Sequence, residues 1–173
     1  MRQTKKNRIL SANRGAVSLT VALLVLTIPG AFALDLSRSL GQNKDGRPDF
    51  SGKWKAESLA KEVGEPPIHP AMAKEMDQID HKDLELKIIR SYEGFDRELD
   101  LRYTIGGKES ANKELDGSTT RSKAIWNGKN LIITVQTAAG ELKETWDLGA
   151  DQKTLTITRE FMNTRWKMVF KRL

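Results

Sequence analysis

From about residue 73 onward, apolar and polar residues alternate along the chain in runs of roughly seven to nine residues. This alternation is typical of β-strands that bury one face, because successive side chains of a strand point to opposite sides of a sheet. Turn sequences separate the runs, as at Gly106-Gly107 and Asn127-Gly128. The pattern predicts a meander of about nine or ten short antiparallel strands. Residues 57–72 contain three prolines and are expected to form a loop, with a short helical turn as one option.

The turn residues also predict the register of several hairpins, because a two-residue loop fixes which residues face one another. Each predicted pair sets one apolar residue opposite another. The pairs are Phe161 with Trp166 for a loop at Asn163-Thr164, Val135 with Leu142 and Leu131 with Trp146 for a loop at Ala138-Ala139, and Leu131 with Ala124 for a loop at Asn127-Gly128. The Asp116-Gly117 turn fails this test, so a bulge or a longer loop is expected there.

A sheet with this many strands and one apolar face must bury that face. Residues 34–173 show no clear helical pattern that could cover it. Closure of the sheet on itself buries the face and removes exposed edges. We therefore predict an all-β fold, an up-and-down antiparallel β-barrel. A two-sheet sandwich is the alternative, although sequential hairpins favour the barrel.

The N-terminal 33 residues have the three-part order of a secretory signal peptide. Five basic residues and no acidic ones come first with the apolar run behind them, and Pro29-Gly30 and Ala31-Phe32-Ala33 follow. We predict cleavage after Ala33, with export to the periplasm or secretion. The alternative is an uncleaved membrane anchor, since about 20 apolar residues can span a bilayer. The membrane is expected as a partner only through this segment.

The predicted organisation is a signal peptide at 1–33, a flexible polar lead-in at 34–48 and a barrel at 49–173. The chain has 29 basic and 23 acidic residues, and removing residues 1–33 leaves 24 and 23. This near-neutral body excludes a broad phosphate-binding face, so no nucleic-acid partner is expected. The chain has no cysteine, which excludes disulfides and cysteine metal sites. No cofactor and no metal ion is predicted.

The predicted first strand carries a family resemblance. The segment Asp49-Phe50-Ser51-Gly52-Lys53-Trp54, followed by an antiparallel meander, resembles the opening of the calycins, the superfamily of lipocalins and fatty-acid-binding proteins. More narrowly, 49–173 resembles exported bacterial lipocalin-like domains. The matching segments run from Tyr103 to Glu109, from Ser122 to Gly128, from Glu144 to Leu148 and from Lys153 to Ile157.

This resemblance implies that Trp54, preceded by Gly52, plugs the closed end of the barrel. The implied partner is a basic residue of the last strand, either Arg172 or Arg165. Fatty-acid-binding proteins grip a carboxylate with an Arg-x-Tyr motif on that strand. Met168 and Phe170 occupy the corresponding positions, so the resemblance does not extend to fatty-acid binding.

Two charged residues break the alternation. Glu144 shares the phase of Leu142 and Trp146, and Arg159 shares that of Ile157. If Leu148 faces Leu155, Glu144 faces Arg159 inside the barrel, where buried charges require partners. The pair is interpreted either as a polar anchor for a ligand or as a structural ion pair. The candidate ligand-binding residues are Glu144, Arg159, Thr120, Ser122 and Trp146.

The remaining motifs suggest no chemistry. His69 and His81 are interpreted as solvated loop residues, and no catalytic constellation is present, so hydrolase or isomerase activity is the least favoured function. The leading hypothesis is an exported module that binds a small apolar or amphiphilic molecule inside the barrel. The alternative is a filled barrel that serves as a structural or protein-interaction domain in the periplasm.

Overall fold

The computed structural model describes residues 45–65 and 70–173. These residues form an all-β structure with one short 3-10 helix, Pro70–Lys74, which follows the first strand. The strands are β1 (Gly52–Val63), β2 (Glu75–Lys82), β3 (Glu85–Tyr92), β4 (Leu99–Thr104), β5 (Glu109–Lys113), β6 (Thr119–Asn127), β7 (Asn130–Thr137), β8 (Gly140–Leu148), β9 (Thr154–Phe161) and β10 (Thr164–Arg172).

All ten strands belong to one antiparallel sheet with the order β4-β3-β2-β1-β10-β9-β8-β7-β6-β5. Consecutive strands pair along both arms of this order, and β1 joins the arms by pairing with both β2 and β10. The result is the predicted up-and-down barrel, and the prediction of an all-β fold is confirmed. The barrel is nearly closed, with one interruption between β4 and β5.

Side chains bridge this interruption. The Arg102 N–H donates to Asn112 Oδ1 at 2.7 Å, and Asn112 Nδ2 donates to the Arg102 carbonyl at 3.1 Å. The Thr104 N–H donates to Ser110 Oγ at 3.1 Å. A side-chain amide and a hydroxyl therefore take the place of backbone partners where the two strands diverge, which leaves few unpaired edge groups there.

Burial follows the alternation along each strand. In β2 every second residue is buried, beginning with Glu75 and ending with His81. Strands β9 and β10 alternate in the same way, and their inward residues include Ile157, Trp166 and Phe170. Nine of the ten strands, all except β5, contribute buried apolar residues to one core. Unlike an ordinary core, it contains several charged side chains.

The predicted registers are partly confirmed. The Ala138-Ala139 loop sets Leu131 opposite Trp146, as predicted. The other two loops were misplaced by one residue, the first too late and the second too early: they are Met162-Asn163 and Gly128-Lys129. The corrected pairs are Arg159 with Trp166, Leu131 with Trp126 and Ala124 with Ile133. The first residue of each of these loops has a positive φ, 52° at Met162 and 62° at Gly128. Gly128 is therefore the first residue of its loop, whereas the predicted Asn-Gly loop placed it second. The error of two in register leaves every side chain on its predicted face.

The region between the first two strands also differs in part from expectation. Residues 57–63 belong to β1 and not to a loop. Irregularities between Ala56 and Ser58 and between Lys61 and Val63 interrupt the pairing with β10, and such bulges remove the alternation from the sequence. The short helical turn is present at Pro70–Lys74. The longer loop around Asp116-Gly117 is confirmed, since β5 ends at Lys113 and β6 begins at Thr119.

Several predictions lie outside the described residues. The signal peptide at 1–33 and most of the lead-in at 34–48 belong to this group, as does His69. Among residues 45–65 and 70–173, no helix has the length and apolar character needed to cross a membrane.

Candidate ligand-binding cavity

The barrel interior contains a cavity of about 270 Å³. One part of its wall is apolar and the other is polar. The apolar part includes Leu99, Leu101, Val135, Leu142, Phe161 and Trp166. The polar part includes Arg90, Tyr92, Tyr103, Glu144 and Arg159. An apolar wall with a few convergent polar groups is the usual composition of a small-molecule site.

The predicted pairing of Glu144 with Arg159 is confirmed. The two residues face each other on β8 and β9, and Arg159 Nε donates to Glu144 Oε1 at 2.7 Å. Both are buried, Glu144 with 4% and Arg159 with 1% of its surface exposed. Trp146 Nε1 donates to the second oxygen, Glu144 Oε2, at 2.9 Å. Glu144 is therefore held by two strand neighbours and has no carboxylate oxygen without a donor.

Arg159 has a second, more distant partner that the sequence did not indicate. Its terminal nitrogens Nη1 and Nη2 donate to the two carboxylate oxygens of Glu75 at 2.9 and 2.8 Å. Glu75 is the first residue of β2 and is fully buried. This bidentate contact crosses the barrel interior and joins residues 84 positions apart in sequence. Arg159 therefore ties β9 to β2 across the core.

A second buried arginine extends the cluster. Arg90 faces Asp77 across β3 and β2, and its Nε and Nη2 donate to the two Asp77 oxygens at 2.9 and 3.0 Å. Arg90 Nε also lies 2.9 Å from Glu75 Oε1. The buried charged cluster therefore contains Arg90, Arg159, Glu75, Asp77 and Glu144. At neutral pH it holds more carboxylates than guanidinium groups.

Burial and charge act differently on the two outer carboxylates. Burial alone would raise the pKa of Glu144, but the positive charges of Arg159 and Arg90 outweigh it and lower this pKa to about 2. Burial raises the pKa of Asp77 to about 6, and the negative charge of Glu75 acts in the same direction, against the opposing charge of Arg90. Of Asp77 and Glu144, Asp77 therefore accepts a proton first when the pH falls.

One residue of the cavity wall carries a buried hydrogen-bond donor without a protein partner. Trp166 is 3% exposed, and its Nε1 is buried without a hydrogen bond. Arg90 Nη1 is 3.7 Å from Glu144 Oε1, which is beyond hydrogen-bond distance. Burial raises the pKa of Tyr92 to about 12 and also that of Tyr103, so both phenol groups keep their protons at neutral pH.

The other three predicted site residues are buried but are not part of the cavity wall. Thr120 Oγ1 donates to Glu114 Oε1 at 2.8 Å, and Ser122 Oγ accepts from Asn112 Nδ2 at 3.3 Å. Trp146 donates to Glu144, which lines the cavity. Of the five candidates, the structure brings Glu144 and Arg159 together at the cavity and places the others behind it.

Trp54 lies inside the barrel with no exposed surface, beside the last strand. Its Nε1 donates to the Phe50 carbonyl at 2.8 Å, and the Arg172 guanidinium lies 4.5 Å from the ring centroid. Gly52 has φ +137°, and a Cβ there would contact the Arg172 side chain at 3.7 Å. Arg165, the other candidate partner, pairs instead with Glu62 at 3.0 Å, and its side chain is 49% exposed.

His81 corrects a sequence interpretation. It was expected to be a solvated loop residue, but it lies on β2 and is 4% exposed. Its ring stacks on Phe50 with centroids 5.7 Å apart, and its Nδ1 accepts the Phe50 N–H at 3.4 Å. Burial lowers the pKa of this imidazole. His81 therefore serves the packing of the first strand, and its inward position follows from the alternation of β2 (Ile79, His81).

Three solved structures of related architecture can now be compared with this barrel. No protein-family model matches the chain, and no curated protein sequence is significantly similar to it. A REP1-NXSQ fatty acid transporter aligns at 16% identity over 72% of this chain and 96% of its own, with a TM-score of 0.58. The fluorescent protein UnaG aligns at 12% identity over 72% and 97%, with a TM-score of 0.57. Secretory abundant heat soluble protein 4 from Ramazzottius varieornatus aligns at 16% identity over 71% and 94%, with a TM-score of 0.58.

The likeness to these structures shows a fold consistent with that of calycins and lipocalins. The resemblance inferred from the opening strand is thereby confirmed at the level of fold. At these identities the likeness does not transfer a ligand to this barrel.

Three members of the buried charged cluster were not predicted from the sequence: Glu75, Asp77 and Arg90, of which Arg90 lines the cavity. Arg90 shares the inward phase of Leu86 and Ile88, so the alternation test that found Arg159 also applies to it. Once Arg90 is placed inside, the β2–β3 register sets Asp77 opposite it. The sequence did not indicate the contact of Glu75 with Arg159, because β2 and β9 are not neighbouring strands.

Proposed function

We propose that this protein is an exported binding module whose barrel holds a small apolar or amphiphilic molecule. The observation that carries the proposal is the cavity of about 270 Å³, which combines an apolar wall with a buried donor that has no protein partner, Trp166 Nε1. A buried donor without a partner costs free energy, and a ligand in the cavity would supply the missing acceptor.

The size of the cavity limits the ligand. Engineered apolar cavities of about 150 Å³ take benzene, and typical drug-sized sites begin at about 300 Å³. At about 270 Å³, the expected ligand is small: a short-chain amphiphile or a compound with one or two rings. A solved neighbour described as a fatty acid transporter supports a ligand in the barrel. It does not support the same ligand, because Met168 and Phe170 stand in place of an Arg-x-Tyr motif.

Export is a separate part of the proposal. It rests on the basic, apolar and small-residue order of residues 1–33. N-terminal sequencing of the protein from its own host should give a mature chain that begins at Leu34. An intact Met1 on a protein found in the membrane fraction would contradict cleavage and favour the anchored form.

A filled barrel with a structural or protein-interaction role is the second candidate. One observation favours it: the buried arginines and carboxylates already satisfy one another, as in the contact of Arg159 with Glu75 and Glu144. A core of this kind can be complete without a ligand. The two candidates differ in whether the cavity is occupied in the cell.

Native mass spectrometry of protein purified from its own host separates them. The binding module should carry a small molecule that is lost on denaturation. Val135→Phe, which fills part of the cavity from β7, should reduce the bound fraction. Thr134→Phe is the matched control, because Thr134 belongs to a separate outer-surface groove. A wild-type protein that is free of ligand and gains no mass from any added amphiphile would favour the filled barrel.

A further inference from the structure

We propose that the cavity selects ligands whose polar end is an uncharged hydrogen-bond acceptor, such as an alcohol, a ketone or an ester. Ligands with an anionic end, such as a carboxylate or a sulfate, are excluded. This inference rests on the proposed binding function and specifies the chemical class of its ligand.

The charge of the cavity wall opposes an anion. Among the described residues, the buried charged cluster contains two guanidinium groups, of Arg90 and Arg159, and three carboxylates. Each arginine donates hydrogen bonds to carboxylate oxygens, with nitrogen–oxygen distances of 2.7 to 3.0 Å. Glu114 adds a further acid at the cavity wall. Glu75 and Asp77 are buried beside this wall and are not part of it. An anionic headgroup would therefore approach a cluster with more acidic than basic groups, whose arginines already contact carboxylates and give little compensation for its loss of hydration.

The hydrogen-bonding capacity of the wall opposes a cation as well. A cationic headgroup donates hydrogen bonds and needs free acceptors. All six carboxylate oxygens of Glu75, Asp77 and Glu144 already have a nitrogen donor within 3.0 Å. Glu114 Oε1 accepts from Thr120. Most of the carboxylate oxygens that an ammonium group would need as acceptors are therefore already engaged by protein donors.

The available donors define the ligand that does fit. Trp166 Nε1 is a donor only, it is buried, and it has no partner. Arg90 Nη1, a second donor, lies 3.7 Å from the Glu144 carboxylate, beyond hydrogen-bond distance. Trp166 and Arg90 both belong to the cavity wall. A neutral oxygen that reaches either donor would accept a hydrogen bond without adding charge, while its alkyl part would cover Leu99, Leu142 and Phe161.

The test uses three probes with the same chain and different ends: octan-1-ol, octyl sulfate and octylammonium. Their affinities for the purified protein are measured by calorimetry at about pH 8, where Asp77 is ionised, and below micelle-forming concentrations. Octan-1-ol should bind about tenfold or more tightly than either charged probe. Octyl sulfate that binds as tightly as octan-1-ol would overturn the headgroup inference and leave the binding function standing. A protein that binds none of the three probes would overturn the binding function itself.

Variants link the selectivity to named side chains. Asp77→Asn removes one buried negative charge with little change in shape. It should improve octyl sulfate binding about fivefold or more and change octan-1-ol binding less than about twofold. Asp80→Asn on the same strand, where the side chain is 56% exposed, should change neither affinity. An equal response of the two variants to octyl sulfate would contradict the inference, and circular dichroism checks that both are folded.

The hydrogen-bond donor of Trp166, its indole N–H, is tested with a separate variant. Trp166→Phe removes only the indole N–H and should weaken octan-1-ol binding about threefold to tenfold. Because that N–H has no partner in the protein, a purely structural role for Trp166 would leave the affinity unchanged. If Asp77→Asn does not fold, Glu114→Gln removes a carboxylate from the cavity wall itself and should shift octyl sulfate binding in the same direction.

Discussion

Replacing Arg159 with methionine should be among the most destabilising single changes in the barrel. Arg159 is 1% exposed and contacts Glu144 at 2.7 Å and Glu75 at 2.8 and 2.9 Å. Methionine matches much of its aliphatic length but removes the charge. Glu75 and Glu144 would then remain buried with only Arg90 to compensate them. The cluster would change from two cations and three anions to one cation and three anions.

Two arguments give the magnitude. Removing one partner of a buried ion pair typically costs about 3–5 kcal/mol. The pKa of Glu144 is lowered from 4.5 to about 2 in the folded state, and this shift corresponds to about 3 kcal/mol of stability at neutral pH. Since the folded pKa is the lower one, this contribution is present above about pH 4.5 and is lost as the pH falls toward 2. The loss caused by Arg159→Met should therefore be larger at pH 7 than at pH 4, where the unpaired acids can accept protons.

Urea unfolding followed by tryptophan fluorescence measures this loss. Arg165→Met is the matched control, because Arg165 lies on the outer surface with its side chain 49% exposed. It should cost less than about 1 kcal/mol. The double variant Glu144→Leu with Arg159→Met has one buried cation and one buried anion fewer than the wild type. It should recover at least half of the stability that Arg159→Met alone loses. A cost below about 1 kcal/mol for Arg159→Met, equal to that of the control, would refute the account of the buried cluster.

Three further changes test other parts of the structure. Trp54→Ala should cost about 3–5 kcal/mol in the same assay, since it empties a large, fully buried site; a loss below about 1 kcal/mol would show that Trp54 does not support the barrel end. Asn112→Ala should cost about 2–3 kcal/mol, because it removes the bridge from Asn112 to the Arg102 backbone, and hydrogen exchange at the Arg102 amide should accelerate; unchanged exchange would contradict the bridge. The folded pKa of Asp77 is raised to about 6, so wild-type stability should fall relative to Asp77→Asn by up to about 3 kcal/mol as the pH rises from about 4 to 7; parallel pH profiles would argue against this shift.

The fold could be predicted from the sequence because apolar and polar residues alternate regularly along most strands. Alternation reports the face of each side chain, and closure follows from the need to bury one face of a long meander. The register was less accessible. Gly128 could serve at either position of a two-residue loop, and the alternation is the same for both choices, since the two registers differ by two residues. The continuation of the first strand beyond Ala56 could not be predicted, because bulges interrupt the alternation there.

Only the part of the site that neighbouring strands form could be predicted from the sequence. Glu144 and Arg159 were found because each breaks the alternation and one hairpin brings them together. The contact of Arg159 with Glu75 crosses the barrel between strands far apart in sequence, and no local pattern reports which inward residues meet across a core. His81 was misjudged because its neighbours Asp80 and Lys82 suggested a turn, although its phase places it inside.

The most direct test of the central claim is an experimental structure of the protein with octan-1-ol bound. We expect the alkyl chain in the cavity against Leu99, Leu142 and Phe161, and the hydroxyl oxygen within about 3.2 Å of Trp166 Nε1 or Arg90 Nη1. A saturating concentration of octan-1-ol that leaves the cavity without the alcohol, or that places it only on the outer surface, would contradict the account.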